Sequence, residues 1–377
     1  MSDDVAVRSR SGRLRRRLIW GGMALYCLGL FLLFDFAWSS LTRGEETQRA
    51  VRVADPVYDH GFSVKFDGFD VWGELRYPLI TNSLGFKDAT TRDVPLKSAS
   101  RRILIIGDSF AEGIGMRFED SFAGILQQAG QARGDKVEFL NAGVASYSPS
   151  IYYRKIKFLI DSGLHFDEVL LFSDPSDVTD EATSYFCIDD DPRYRSYCTA
   201  AEGSMQPSAS PKKSDFFIDR FVITNRVRIS IKRWIQTLLG NRKRALATDR
   251  ARIGWSIAGF DVTNETRPLG AEGGLQRSLQ NMGKLADLLA SRNIPLTIVV
   301  YPWAQQIAQG DRDSRQVAIW REFCEKRCKT FINLFPTFFA AAEADRNWHA
   351  HLYIVGDDHF SAGGHAMVAR EVEKQLR

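Results

Sequence analysis

Ile103-Leu104-Ile105-Ile106-Gly107-Asp108-Ser109-Phe110 is the stretch that decides how this chain folds. An apolar run without alternation marks a strand buried on both faces, and Gly107-Asp108-Ser109 ends it abruptly. A strand that turns at once into a helix lifts its serine above the edge of the sheet. Close to the C-terminus, Gly356-Asp357-Asp358-His359 adds a carboxylate and an imidazole. A serine hydroxyl is a poor nucleophile until a base takes its proton and an acid holds that base in one tautomer. A strand-end serine with a late Asp-x-His therefore points to acyl chemistry. In an extended loop, residues two apart share a direction. Asp357 is thus expected beside the His359 ring, and Asp358 is expected to point away.

Downstream of that strand the pattern alternates. Phe118–Arg133 reads as a helix, Val137–Leu140 as a strand, Ser150–Ser162 as a helix and Glu168–Phe172 as a strand. After an interruption come helix Leu275–Arg292, strand Pro295–Val300, helix Asp313–Arg327, strand Thr330–Leu334 and a last helix, Gly363–Leu376. This predicts an α/β fold: a three-layer α/β/α sandwich with a mainly parallel sheet, plus one N-terminal transmembrane helix. Functional groups should collect at the carboxyl ends of the strands.

The interruption, residues 179–274, differs in composition. It carries Cys187 and Cys198, a Ser/Pro/Lys-rich linker (Gly203–Ser214), and an aromatic, basic stretch with Arg220, Arg226, Arg228, Lys232 and Arg233. Two readings stand: a lid with a solvated basic face, or a contact for anionic lipid headgroups or an acidic polysaccharide. Cys27 lies in the apolar N-terminal stretch. The simplest pairing of the others is Cys187–Cys198 and Cys324–Cys328, one of three connectivities that four cysteines allow. Their spacing does not fit zinc. No metal and no cofactor is expected.

The N-terminus sets the compartment. Arg8, Arg10, Arg13, Arg15, Arg16 and Arg17 precede an apolar stretch, with Trp20 and Trp38 near its ends. Residues 1–17 read as a cytoplasmic basic tail and 18–38 as a membrane anchor; a signal cleaved near Ala37–Ser40 is the alternative. Residues 41–98 follow as a stalk and β-rich lead-in, and 99–377 as the α/β domain. The expected location is the inner (cell) membrane, single-pass, with a cytoplasmic N-terminus and a periplasmic catalytic domain. The 377 residues are 44% hydrophobic and 25% charged, with net charge +4, an ordinary globular balance that implies no nucleic-acid partner.

From Ile103 to Arg377 the chain resembles the SGNH (GDSL-type) hydrolase superfamily, with 179–274 as an insertion. The resemblance implies Ser109 as nucleophile, with its own N–H as one oxyanion-hole donor. Its second block is similar to Asn141-Ala142-Gly143-Val144-Ala145-Ser146-Tyr147, with Ser146 where the family has glycine; the Ser146 N–H is the second donor. Its third block is similar to Phe172-Ser173-Asp174-Pro175-Ser176-Asp177, with Ser176 in place of the oxyanion asparagine. Losing one oxyanion donor typically costs about 10²–10³ in rate. The family often places aspartate three residues before the histidine, where this chain has Gly356. The Asp357-x-His359 form resembles membrane-anchored members that handle acetyl groups on exported polysaccharides, such as the alginate O-acetylation proteins.

Other residues weigh less. Gly143, Tyr301 and Trp303 are candidate substrate contacts, with packing as the default for the two aromatics. His349 and His351 read as a solvated loop, His365 as a helix-surface residue, and Asp174, Asp177, Asp180 and Glu181 as an acidic loop. The expected activity is ester hydrolysis or O-acyl (acetyl) transfer on an exported envelope glycan, with Ser109 nucleophile, His359 base and Asp357 orienting acid. The expected partners are an acylated glycan or small acyl ester, membrane lipid around the anchor, and a multi-pass membrane acyltransferase. The alternative is a catalytically inert, SGNH-like binding or scaffold subunit of an envelope-polysaccharide assembly.

Overall fold

The computed structural model describes residues 3–42, 51–72, 75–188, 224, 231, 253–256 and 269–376. The chain forms two compact units, Met1–Arg49 with Ala209–Leu239 and Ala50–Ser208 with Gly240–Arg377. In the first, a helix (α1) covers Asp3–Thr42. Its Arg16–Trp38 stretch is long and apolar enough to be a membrane span or a signal sequence. Asp35 is the buried exception, and its Oδ2 accepts from the Thr224 N–H at 2.7 Å and hydroxyl at 2.6 Å. The linker Gly203–Ser214 and the basic residues Arg220, Arg226, Arg228, Lys232 and Arg233 lie outside the described residues, as does Cys198.

The second unit opens with two antiparallel hairpins. Arg52–Asp55 (β1) pairs with Asp59–Phe62 (β2), and Asp67–Trp72 (β3) with Leu75–Ile80 (β4). The main sheet follows: Arg101–Gly107 (β5), Val137–Asn141 (β6), Glu168–Ser173 (β7), Leu296–Val300 (β8) and Thr330–Asn333 (β9). All its pairings are parallel, in the order β6-β5-β7-β8-β9. Ile103, Leu104, Ile105 and Ile106 are wholly buried, as a central strand covered on both faces requires. The crossovers between these parallel strands carry helices on both faces. Helix Phe122–Arg133 (α3) packs with Ala362–Leu376 (α11) on one side. On the other, Pro149–Asp161 (α4) and Asp177–Thr183 (α5) pack with Gly270–Ser291 (α6). The expected three-layer α/β/α sandwich is the one observed.

The chain leaves β5 for β6 on one side and returns to β7 on the other. The order therefore reverses beside β5, and the crevice opens at the carboxyl ends of β5 and β7, where α/β sheets bind ligands. One residue after β5, Ser109 starts the short helix Ser109–Glu112 (α2).

Boundaries differ from the sequence reading in instructive places. Phe118–Asp120 is a separate 3₁₀ turn, and α3 begins after Ser121, whose Oγ accepts from the Gly124 N–H. Three helices carry no clear apolar period: Ala304–Gln309 (α7), Phe335–Ala344 (α9) and Trp348–Leu352 (α10). His349 and His351 therefore sit on a helix rather than a loop, and His351 pairs with Asp345. Helix Arg315–Arg327 (α8) ends where Cys324 and Cys328 are joined by a disulfide, with Cα atoms 4.6 Å apart.

Candidate active site

A cavity of about 130 Å³ lies at the end of β5, lined by Trp72, Asp108, Ser109, Phe110, Ser146, Trp303, Asp357, Asp358 and His359. Five chain segments meet there, and three of them are fixed by separate devices. Asp108 caps α2, its Oδ1 accepting from the Phe110 N–H at 3.0 Å, and its Oδ2 accepts the Ser109 hydroxyl at 3.1 Å. Gly143 lets the second segment pass close behind, because a Cβ there would lie 2.8 Å from the Ala111 Cβ and 3.0 Å from backbone atoms. That segment then turns at Ser146, which has φ +66°.

The C-terminal segment is a closed turn. Ile354 N–H donates to the His359 carbonyl at 2.8 Å and Asp357 N–H to the Ile354 carbonyl at 3.0 Å, with Gly356 at φ +83° between them. A side chain at position 356 would be strained, so this loop could not easily carry the acid there. Asp357 Oδ1 instead takes the His359 ring at Nδ1 and the His359 backbone N–H at 3.0 Å. Burial pushes the Asp357 carboxyl up, but the His359 ring and backbone donors more than offset it, and Asp357 ends below the usual carboxylate range.

The expectation for Asp358 is corrected. Because the segment is a turn and not extended, Asp358 also reaches the cavity wall, and its Oδ1 accepts from Gln305 Nε2 at 2.6 Å. His359 is packed between rings. Trp72 meets it edge-to-face at 5.5 Å and 87°, and Phe110 lies 5.0 Å away.

Several other candidates lie elsewhere. Ser176 is buried off the cavity wall; its N–H donates to Asp174 at 2.7 Å and its hydroxyl has no partner among the described residues. It thus does not replace the missing asparagine on the wall. Tyr301 and Gly143 are buried off the wall as well. Trp303 reaches the wall yet is 3% exposed, its indole donating to Asp174 at 2.7 Å, so no ring face is offered for stacking.

The supposed acidic loop is interior. Asp174, Asp177, Asp180 and Glu181 are all buried where α5 packs. Burial, with Asp174 and Asp108 nearby, raises the Asp177 carboxyl well above its ordinary value. His365 is also buried rather than on a helix surface. Gly363 and Gly364 press against the His351 and Leu352 carbonyls, which turns the next side chain inward, where its Nδ1 accepts from Phe122 N–H. Burial first, then Lys87 and His359, pushes it down to about 3. Among the described residues no group of three or more His, Cys, Asp or Glu is arranged to hold a metal.

The sequence reading missed Trp72, Arg52 and Glu112. The hairpins have no long period, and Glu112 looks like any polar helix residue. The available signal was Trp72 beside the hairpin turn, a large aromatic of the kind that walls ligand sites.

No protein-family model matches the chain, and no curated protein matches it. Solved structures do. The psychrotrophic esterase EstA from Pseudoalteromonas sp. is 12% identical with TM-score 0.39, over 74% of this chain and 99% of that one. The acetylxylan esterase Axe2 from Geobacillus stearothermophilus is 10% identical with TM-score 0.41, over 75% and 96%. A two-domain esterase active on acetylated mannans is 11% identical with TM-score 0.40, over 74% of this chain and 49% of that one. Likeness this remote says nothing of what the chain acts on.

Proposed function

We propose that this chain is a serine acyl-ester enzyme of the SGNH type. Ser109 attacks the acyl carbonyl, His359 takes its proton, and Asp357 holds the imidazole. The observation that carries the reading is that all three line one cavity at the switch point of the sheet, with Asp357 on His359 Nδ1. That contact leaves Nε2 as the ring nitrogen available to Ser109. The N–H groups of Ser109 and Ser146 serve as oxyanion donors.

The cavity supports a short acyl group. At about 130 Å³ it holds the volume of about four waters, so an acetyl group fits inside and the alcohol stays outside. The alcohol is a sugar hydroxyl of an exported envelope glycan. Hydrolysis and transfer share the acyl-enzyme and differ in whether water or a second hydroxyl resolves it. The Arg16–Trp38 helix anchors the chain in the cell membrane, with its arginines cytoplasmic and the catalytic unit outside.

Two observations favour the inert binding subunit as a second reading: the Ser109 hydroxyl is engaged by Asp108, and Ser176 stands off the wall. A chromogenic acetyl ester separates the two readings. Full-length protein in detergent should turn it over, with the activity lost in both Ser109→Ala and His359→Ala. Turnover that survives Ser109→Ala sinks the enzyme reading.

A further inference from the structure

We propose that Glu112, held by Arg52, is a positioning residue that aims the Ser146 N–H into the cavity. The proposal rests on the ester-active reading above. Ser146 lines the cavity in a left-handed conformation, φ +66°, that disfavours a non-glycine residue. Something must hold it there, and the peptide groups around it show what does. Glu112 Oε2 accepts the Ala145 N–H at 2.7 Å. The Ala145 carbonyl accepts from His60 Nε2 at 2.8 Å, and the Ser146 carbonyl from the Tyr185 hydroxyl at 2.8 Å. The Ser146 N–H has no partner among the described residues. Every other polar backbone group of the Ala145–Ser146 pair is tied down.

Glu112 is itself fixed. Arg52 grips it in two prongs, Nη1 to Oε2 at 2.9 Å and Nη2 to Oε1 at 2.6 Å, and also reaches Asp70 at 2.7 Å. Tyr77 adds a hydroxyl at 3.3 Å. Burial pushes the wholly buried Glu112 carboxyl up, but Arg52, Lys87 and the Ala145 N–H together bring it below the ordinary range. Glu112 therefore stays an anion, a stronger acceptor than a neutral carboxyl. It also ends the helix that Ser109 begins. One rigid turn thus carries the nucleophile at one end and the anchor of the second oxyanion donor at the other.

The test is steady-state hydrolysis of p-nitrophenyl acetate by full-length protein in detergent, with thermal unfolding read alongside. If wild type and Ser109→Ala turn over alike, the ester reading fails and this proposal fails with it. With Ser109-dependent turnover in hand, Arg52→Met and Glu112→Gln should lower kcat about 10- to 100-fold, below the ~10²–10³ of a lost donor, because the N–H is misaimed rather than removed. KM should stay within about two-fold, and inactivation by a fluorophosphonate, whose adduct uses the same donors, should slow by the same factor. Arg52→Lys, which keeps the charge but not the fork, should recover part of kcat and carries the test if Glu112→Gln does not fold. Folded variants with unchanged kcat, or a rise in KM alone, overturn the positioning role.

Discussion

The Ser109 hydroxyl donates to the carboxylate of its own neighbour, Asp108, at 3.1 Å. In the proposed mechanism Ser109 must exchange this acceptor for His359 before it attacks. Catalytic hydrogen bonds often tighten only once substrate is bound. Asp108 also caps α2 through the Phe110 N–H. The two roles can be separated.

Asp108→Ala removes the cap and should lower stability by about 1 kcal/mol. Asp108→Asn keeps a cap oxygen and should unfold within a few tenths of a kcal/mol of wild type. Chemical denaturation of both variants checks this; equal losses would mean that the carboxylate charge, not the cap, is what matters.

Ser146→Gly removes the penalty of a Cβ at φ +66° while keeping the N–H. Glycine's greater freedom in the unfolded chain opposes the gain, so stability should change by less than about 1 kcal/mol. Acetyl-ester turnover should be retained or raised. A loss beyond ten-fold would show that the Ser146 side chain, and not its amide, serves the reaction.

Trp72→Ala deletes the edge-to-face partner of His359. Such pairs contribute about 0.5–1.5 kcal/mol, so kcat/KM should fall roughly 2- to 12-fold. Trp72→Phe should restore most of it. If Trp72→Ala is as active as wild type, the ring merely fills space at the rim.

His365 ties stability to acid. Its folded value is pushed down to about 3 from 6.5, so the unfolded chain takes the proton first. The stability this group confers is complete above pH 6.5 and is lost as pH falls toward 3. The melting temperature should therefore drop across that window more steeply in wild type than in His365→Gln. Parallel curves would remove His365 as a source of the acid sensitivity.

How much of this was readable beforehand depended on local pattern. Ile103–Ile106 announces a strand because a central parallel strand is apolar on both faces, whereas the expected Asp357–His359 contact is present but made within a turn rather than an extended loop. Asp358 was misplaced, since its direction comes from a turn set by Gly356. His365 was misplaced because periodicity does not register that Gly363 and Gly364 let α11 settle onto the His351 and Leu352 carbonyls. Ser176 matches its block in spacing, yet the packing of α5 takes it off the wall. Arg52 and Trp72 lie on hairpins too short to carry a periodic signal, and what they do depends on contacts distant in sequence.

The two-pronged grip of Arg52 on Glu112 has a consequence for the order in which the chain is made. Arg52 and Trp72 are synthesised before any strand of the main sheet, whereas Asp357 and His359 come after all of them. The cavity is therefore enclosed by the earliest and the latest parts of this unit, with the nucleophile between. A nascent chain that has already folded its sheet still lacks the base. If Ser109 and His359 act as proposed, ester chemistry begins only when the last turn docks, and chains that end before Asp357 stay inert.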